Sequence, residues 1–197
     1  MHEVRLAREG ERAEIGATMA RAFADDPVWR WLVPDDRRWD GRAPAWFTAD
    51  AGNRMKLGHV YTVDGVQGAC QWQPPGQYKP TVSDFFGVLP ASLALFRGDV
   101  LKATRYLARM EKLHPSEPDH WYLAMIGTHP DHQGKGIGSA LLQPILERCD
   151  REEVPAYLES SKESNVPFYA RHGFALREPM ETEGGPTIYP MWRDPRP

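Results

Sequence analysis

Cysteine is scarce in this sequence: among 197 residues there are two, Cys70 and Cys149, in unrelated surroundings. That spacing offers neither a disulfide framework nor a thiolate metal site, and it points to a reducing, cytoplasmic setting. Long apolar runs are missing as well. The strongest, Trp121 to Ile126, is far too short to span a bilayer, and Met1 is followed by His2, Glu3 and Arg5 rather than by an apolar leader, so no membrane partner is expected. A basic excess is also lacking. With 24 Lys and Arg against 27 Asp and Glu, the formal net charge is -3, which gives none of the electrostatic footprint of nucleic-acid binding and is compatible with cationic small molecules. No repeat or charge block divides the chain. Its 41% hydrophobic content suffices for one well-buried core, so residues 1–197 are read as a single domain.

What the sequence does contain is an alternation of strand and helix patterns. "EVRLA", Glu3 to Ala7, alternates with period two, and "GERAEIGATMARAF" sets Ala13, Gly16, Ala17, Ala20 and Phe23 on one helical stripe. Pro27 and Pro34 break the next segment, where Trp29, Trp31, Trp39 and Trp46 crowd together. Two alternating runs, His59 to Val63 and Val66 to Gln73, joined by Asp64-Gly65, predict a hairpin that Pro74-Pro75 ends. Leu93 to Leu113 carries helical spacing.

"HWYLAMIGTHP" then reads as a nearly unbroken apolar strand, buried on both faces. The helix after it has Ile137, Ala140, Leu141, Ile145 and Leu146 on one stripe, with Pro144 expected to remove a hydrogen bond and kink it. "PAYLESS", from Pro155, is a second buried strand, so strand, helix and strand predict a parallel pair with a right-handed crossover. Asn165 to His172 predicts a short helix capped by Gly173. Phe174 to Arg177 and "PTIYPMWR" complete a count of seven strands.

Between the first buried strand and its helix lies "THPDHQGKGIGSALL", Thr128 to Leu142, with glycines at 134, 136 and 138 and a lysine at 135. Glycines at alternate positions let backbone N–H groups converge on a ligand, and the following helix turns its positive dipole end toward them. Such a place suits an anion, most plausibly a phosphate. A Walker loop needs Ser or Thr after its lysine, and Gly136 stands there instead. A dinucleotide fingerprint has Glu159 near the right distance for a ribose but the wrong glycine spacing. The bland alternative is a glycine-rich turn without a ligand.

Gln133-Gly134-Lys135-Gly136-Ile137-Gly138 resembles the acyl-CoA pyrophosphate loop of the GNAT superfamily of acetyltransferases, and "SNVPFYARHGF" resembles that superfamily's next motif. Within it, the stretch from His114 to Arg193 is similar to the puromycin N-acetyltransferases, on "EPDHWYLAMIGTHPDHQGKGIGSALLQPILE" and "VPAYLESSKESNVPFYARHGF", and "AFADDP" extends the likeness toward the N-terminus. The resemblance implies an α/β fold with a mixed, mostly antiparallel seven-stranded sheet, flanked by helices and splayed between two central parallel strands. It implies acetyl-CoA as acyl-donor cosubstrate and transfer to the amine of a small molecule, puromycin-like or another aromatic amine, by direct attack on the thioester. The alternatives are a protein or peptide N-acetyltransferase and a non-catalytic acyl-CoA sensor. Monomer and homodimer remain equally open.

The residues can be assigned to what this chemistry needs. Backbone N–H groups of Gln133, Gly134, Lys135, Gly136, Ile137, Gly138 and Ser139 would hold the pyrophosphate, and Met125, Ile126, Gly127 and Thr128 would pair with the pantetheine arm like an added strand. The resemblance implies a backbone N–H near Ile126 or Gly127 facing the thioester oxygen, and Gly127 is expected at a bulge there. Asn165 and Tyr169, four residues apart, project from one helical face. The resemblance makes Tyr169 the acid that protonates the CoA sulfur and Asn165 a pantetheine contact. The alternative for Tyr169 is a packed ring.

Glu159, between apolar neighbours, is a candidate base or a structural acceptor, with Asp26, His120 and His129 as rivals. Phe23, Asp26 and Trp29 are candidate acceptor contacts. His129-x-x-His132 supplies two possible metal ligands without a third, so no metal is expected.

Overall fold

The computed structural model describes residues 2–182 and 184–196. Seven strands form one sheet in the order β1-β2-β3-β4-β5-β7-β6. They are β1 (Val4–Leu6), β2 (Val60–Val63), β3 (Gly68–Gln73), β4 (Trp121–Thr128), β5 (Ala156–Ser160), β6 (Ala175–Leu176) and β7 (Tyr189–Arg193). Every neighbouring pair is antiparallel except β4 and β5, which are parallel. The parallel pair is short. It runs from Trp121 opposite Ala156 to Leu123 opposite Leu158 and pairs no further, although β4 continues to Thr128. The two strands diverge there, as a splayed central pair requires.

Helices cover both faces. On one lie α1 (Arg12–Ala22), α2 (Pro27–Leu32), α3 (Asp36–Met55), α4 (Val82–Phe96) and α5 (Val100–Leu113), enclosing a core that includes Ile15, Met19, Trp39, Phe47, Ala69 and Leu95. On the other, α6 (Ile137–Glu152) and α7 (Val166–Arg171) cover Trp72, Trp121, Leu123, Leu158 and Met191. The right-handed crossover from β4 through α6 to β5 is the local unit that carries the site.

Three local expectations need correction. The hairpin's second strand begins at Gly68 rather than Val66, because Asp64–Val66 form a short turn with Gly65 (φ 66°) and Val66 (φ 48°) both left-handed. The segment from Leu93 is two helices, α4 and α5, broken at Arg97 (φ 45°). Pro144 lies inside α6, which runs from Ile137 to Glu152, and its missing N–H removes one helical hydrogen bond.

The irregularity of β4 lies at Ala124, not Gly127: Gln71 opposes Met125 and Trp72 opposes Leu123, leaving one β4 residue unpaired. Gly127 is in regular register with Ala69. Its missing side chain serves α1, since a Cβ there would stand 2.9 Å from Ala22 Cβ and 3.0 Å from Met19 Sδ.

Candidate active site

A groove of about 580 Å³ opens where β4 and β5 part. It is bordered by the loop leading into α6 and by Phe23, Asp26, Glu159 and Tyr169. The loop owes its course to two glycines: Gly134 has φ 75°, and Gly136, at the N-cap of α6, has φ 84°. A side chain at either would be strained by the backbone alone. Beyond them the first amides of α6, at Ile137, Gly138 and Ser139, begin the helix without an intrahelical acceptor. All three residues border the groove, as do Gln133, Gly134 and Gly136. Lys135 does not; its ammonium donates to Asp131 O at 3.0 Å.

The strand contributions follow from the divergence. Met125, Ile126 and Thr128 border the groove where β4 has lost β5 as a partner, and Gly127 lies between them. Asn165, exposed just before α7, also borders it. So does Tyr169, whose ring packs edge-on against Phe168 and Phe174 while the residue is only 7% exposed. Burial, with a smaller push from the Asp26 carboxylate, raises its phenol well above the usual range. That tyrosine holds its proton.

Two side chains face Glu159, Tyr122 from β4 and His114 at the end of α5. Its Oε2 accepts from Tyr122 Oη at 2.9 Å, and its Oε1 faces His114 Nδ1 at 3.5 Å with no hydrogen-bond partner among the described residues. His114 Nε2 lies 3.0 Å from His120 Nε2, and His120 Nδ1 lies 2.8 Å from Pro118 O. A carbonyl only accepts, so His120 carries its proton on Nδ1. Burial lowers the affinity of His120 for a second proton. His120 Nε2 is then the acceptor and His114 donates to it from Nε2, which leaves His114 Nδ1 facing Glu159 Oε1. A proton held between these two atoms pairs both. His114 and Tyr122 were not singled out by the sequence; only their strand and loop neighbours bring them to Glu159.

Asp26 caps α2, accepting from Val28 N at 3.0 Å and Trp29 N at 3.1 Å, and its second oxygen accepts from Ser161 Oγ across the splay. Burial raises its carboxyl above the usual carboxylate range. Phe23 borders the groove and stacks on Phe47. Trp29 does not border it: its ring packs 4.8 Å from Trp46 and 5.0 Å from Phe47, inside the aromatic cluster of the core.

His129 caps the turn Pro130–His132, with Nδ1 accepting from Asp131 N at 3.3 Å, and lies off the groove. No group of three or more His, Cys, Asp or Glu is placed to hold a metal among the described residues. Nor is any helix among them long and apolar enough to cross a membrane.

The model of the Acetyltransferase (GNAT) family matches residues 89–174, which contain β4, the loop, α6, β5 and α7. An uncharacterized N-acetyltransferase of Schizosaccharomyces pombe is 27% identical over 82% of this chain and 70% of its own length. The L-amino acid N-acyltransferase MnaT of Escherichia coli is 32% identical over 34% of this chain and 39% of its own length. Among solved structures, the histone acetyltransferase HPA2 and related acetyltransferase from Corynebacterium glutamicum shares the fold, with a TM-score of 0.74 at 22% identity over 99% of this chain and 97% of that one. An arylalkylamine N-acetyltransferase of Aedes aegypti shares it with a TM-score of 0.67 at 9% identity, over 98% of each chain. Together with the splayed mixed sheet, these likenesses indicate an acetyltransferase enzyme, one whose residues 89–174 match the GNAT family model.

Proposed function

We propose that this chain uses acetyl-CoA to acetylate the amine of a small molecule, puromycin-like or another aromatic amine. One observation carries the reading: a single groove connects a helix N-terminus built for phosphate, a parted strand edge, a buried tyrosine and a buried carboxylate. The donor set fits the cosubstrate. Gln133 to Ser139 would bind the pyrophosphate, and Met125 to Thr128 with Asn165 the pantetheine arm. Lys135, outside the groove, contributes charge rather than contact.

Bound acetyl-CoA supplies a thioester that an amine can attack directly. Tyr169, kept protonated by burial, is the acid that delivers a proton to the departing sulfur. Glu159 is the base, passing the amine's proton to the site it shares with His114. Phe23 and Asp26 border the acceptor end, whereas Trp29 is left to the core. MnaT, an L-amino acid N-acyltransferase, likewise acts on a small molecule.

A thiol-release screen over amines, including puromycin and aminonucleosides, tests this. Release of CoA with small α-amines is the expected result. Labelling of peptides or lysine side chains in preference to them would overturn it in favour of a protein-directed enzyme, and acetyl-CoA binding without release would make the protein a sensor.

A further inference from the structure

The sheet face toward α3 and α5 carries more unpaired hydrogen-bonding capacity than a finished core needs. Gln71 is fully buried, and neither its Oε1 nor its Nε2 has a partner among the described residues. Two positions along β3, Gln73 donates from Nε2 to the carbonyls of Gln77 and Tyr78 at 3.2 and 3.4 Å. Those carbonyls fix the amide's orientation and leave Gln73 Oε1 without a donor. From α3, Asp50 bonds Arg54 through Oδ1 at 3.4 Å, while its Oδ2 has no partner among the described residues.

Gln71 and Gln73 lie on the strand next to β4, several of whose residues border the groove. Gln73 stands directly opposite Tyr122, whose hydroxyl bonds Glu159, and Gln71 stands opposite Met125, which borders the groove. Asp50 and Arg54 reach this face from α3, which packs against β3. Buried polar side chains are ordinarily paired, and an amide with neither end satisfied contributes nothing to the fold.

The unpaired atoms also have a chemistry. Asp50 Oδ2, Gln71 Oε1, Gln73 Oε1 and Glu159 Oε1 are four acceptors against the single donor Gln71 Nε2. Arg54 offsets the charge of Asp50, so the charge left over is that of Glu159. Such a set complements a molecule rich in N–H or O–H groups and carrying an amine, and it repels a carboxylate.

We infer that Gln71, Gln73 and Asp50 form a specificity subsite for a hydroxyl or amide N–H donor on the acceptor, whose amine lies at Glu159, and that this subsite rejects acceptors with a free carboxylate. The inference rests on the small-amine reading and narrows it.

The test compares phenylalaninol, phenethylamine and phenylalanine as acceptors for the parent enzyme and for Gln71→Leu. The parent should favour phenylalaninol over phenethylamine by about tenfold in kcat/KM, the worth of one well-made hydrogen bond, and should use phenylalanine worst. Because the two amines differ in basicity, the parent's ratio is read against the variant's. Gln71→Leu should bring that ratio toward one and should melt at a higher temperature than the parent, since it removes a buried unpaired amide.

A ratio unchanged by the substitution, or phenylalanine as the best acceptor, would overturn the subsite while leaving the enzyme a small-amine acetyltransferase. If none of the amines reacts, the small-amine reading itself falls. Calorimetric binding of phenylalaninol and phenethylamine to the CoA-bound protein then decides the subsite: tighter phenylalaninol binding that Gln71→Leu abolishes upholds it, and equal binding ends it.

Discussion

Tyr169 and Glu159 border the same groove, but their environments do different work. Burial raises the tyrosine's pKa, so its proton persists through neutral and moderately alkaline pH, where a base must already be ionised. Tyr169→Phe keeps the packed ring and deletes the proton donor. We expect turnover to fall by roughly 10²-fold or more with acetyl-CoA affinity little changed, checked by steady-state kinetics beside calorimetry. Equal turnover at saturation would reduce Tyr169 to a packing residue.

Glu159→Gln should slow amines of high pKa more than amines whose own pKa lies near 7, because only the former depend on a protein base. Rate against acceptor pKa, in parent and variant, gives the answer, and equal slowing of both kinds would contradict the role. The Asn165–Tyr169 pair was legible in the sequence from its four-residue spacing: Asn165 stands at the N-cap of α7, Tyr169 lies within it, and both border the groove. The partners of Glu159 were not: His114 reads as a helix end and Tyr122 as one more apolar strand position until strand pairing joins them.

At the scale of elements, the loop into α6 rests on backbone geometry rather than on crowding. A Cβ added at Gly136 would meet nothing within 4 Å, yet the residue sits at φ 84°. Gly136→Val should therefore weaken acetyl-CoA binding severely by forcing the cap out of the left-handed region and turning the following amides away. Calorimetry on the folded variant checks this, and unchanged affinity would remove the loop from the site.

The strand–loop–helix–strand unit was readable because its apolar strands and glycine spacing are local signals. The α3 helix was not. Its buried residues Trp39, Ala43, Trp46, Phe47, Asp50 and Ala51 do follow helical spacing, but Gly41, Pro44 and Gly52 mask the pattern, and one inward position is a carboxylate. That carboxylate belongs to the proposed subsite, so local irregularity and acceptor recognition coincide on this helix. In α4, Pro90 and exposed Phe85 and Phe86 blur the periodicity in a similar way.

For the whole molecule, the titrating groups make stability depend on pH with a defined sign. Burial lowers the pKa of His59, His120 and His172, so each favours the folded state while neutral. That contribution is present above the ordinary imidazole value of about 6.5 and is lost as pH falls through the lower folded values. A second stage lies further down. Hydrogen bonds from Arg5 hold Glu11 at about 2, and the paired Arg193 fork at 2.7 Å lowers Asp150, so both favour folding above the ordinary carboxylate range and cease to as pH falls through their folded values. Asp26, raised by burial, acts in the opposite direction: its contribution is present at low pH and is lost as pH rises through its folded value.

With three histidines and two ion-paired carboxylates set against that one group, the melting temperature should fall from pH 7.5 to 5.5 and again from 5.5 to 3. Glu11→Gln should flatten the lower stage and leave the upper one in place, because the Arg5 pair is remote from the three histidines in the ionisation sequence. Differential scanning calorimetry across this range tests the assignment. A melting temperature independent of pH, or a lower stage untouched by Glu11→Gln, would show that these pairs do not govern the acid stability of the fold.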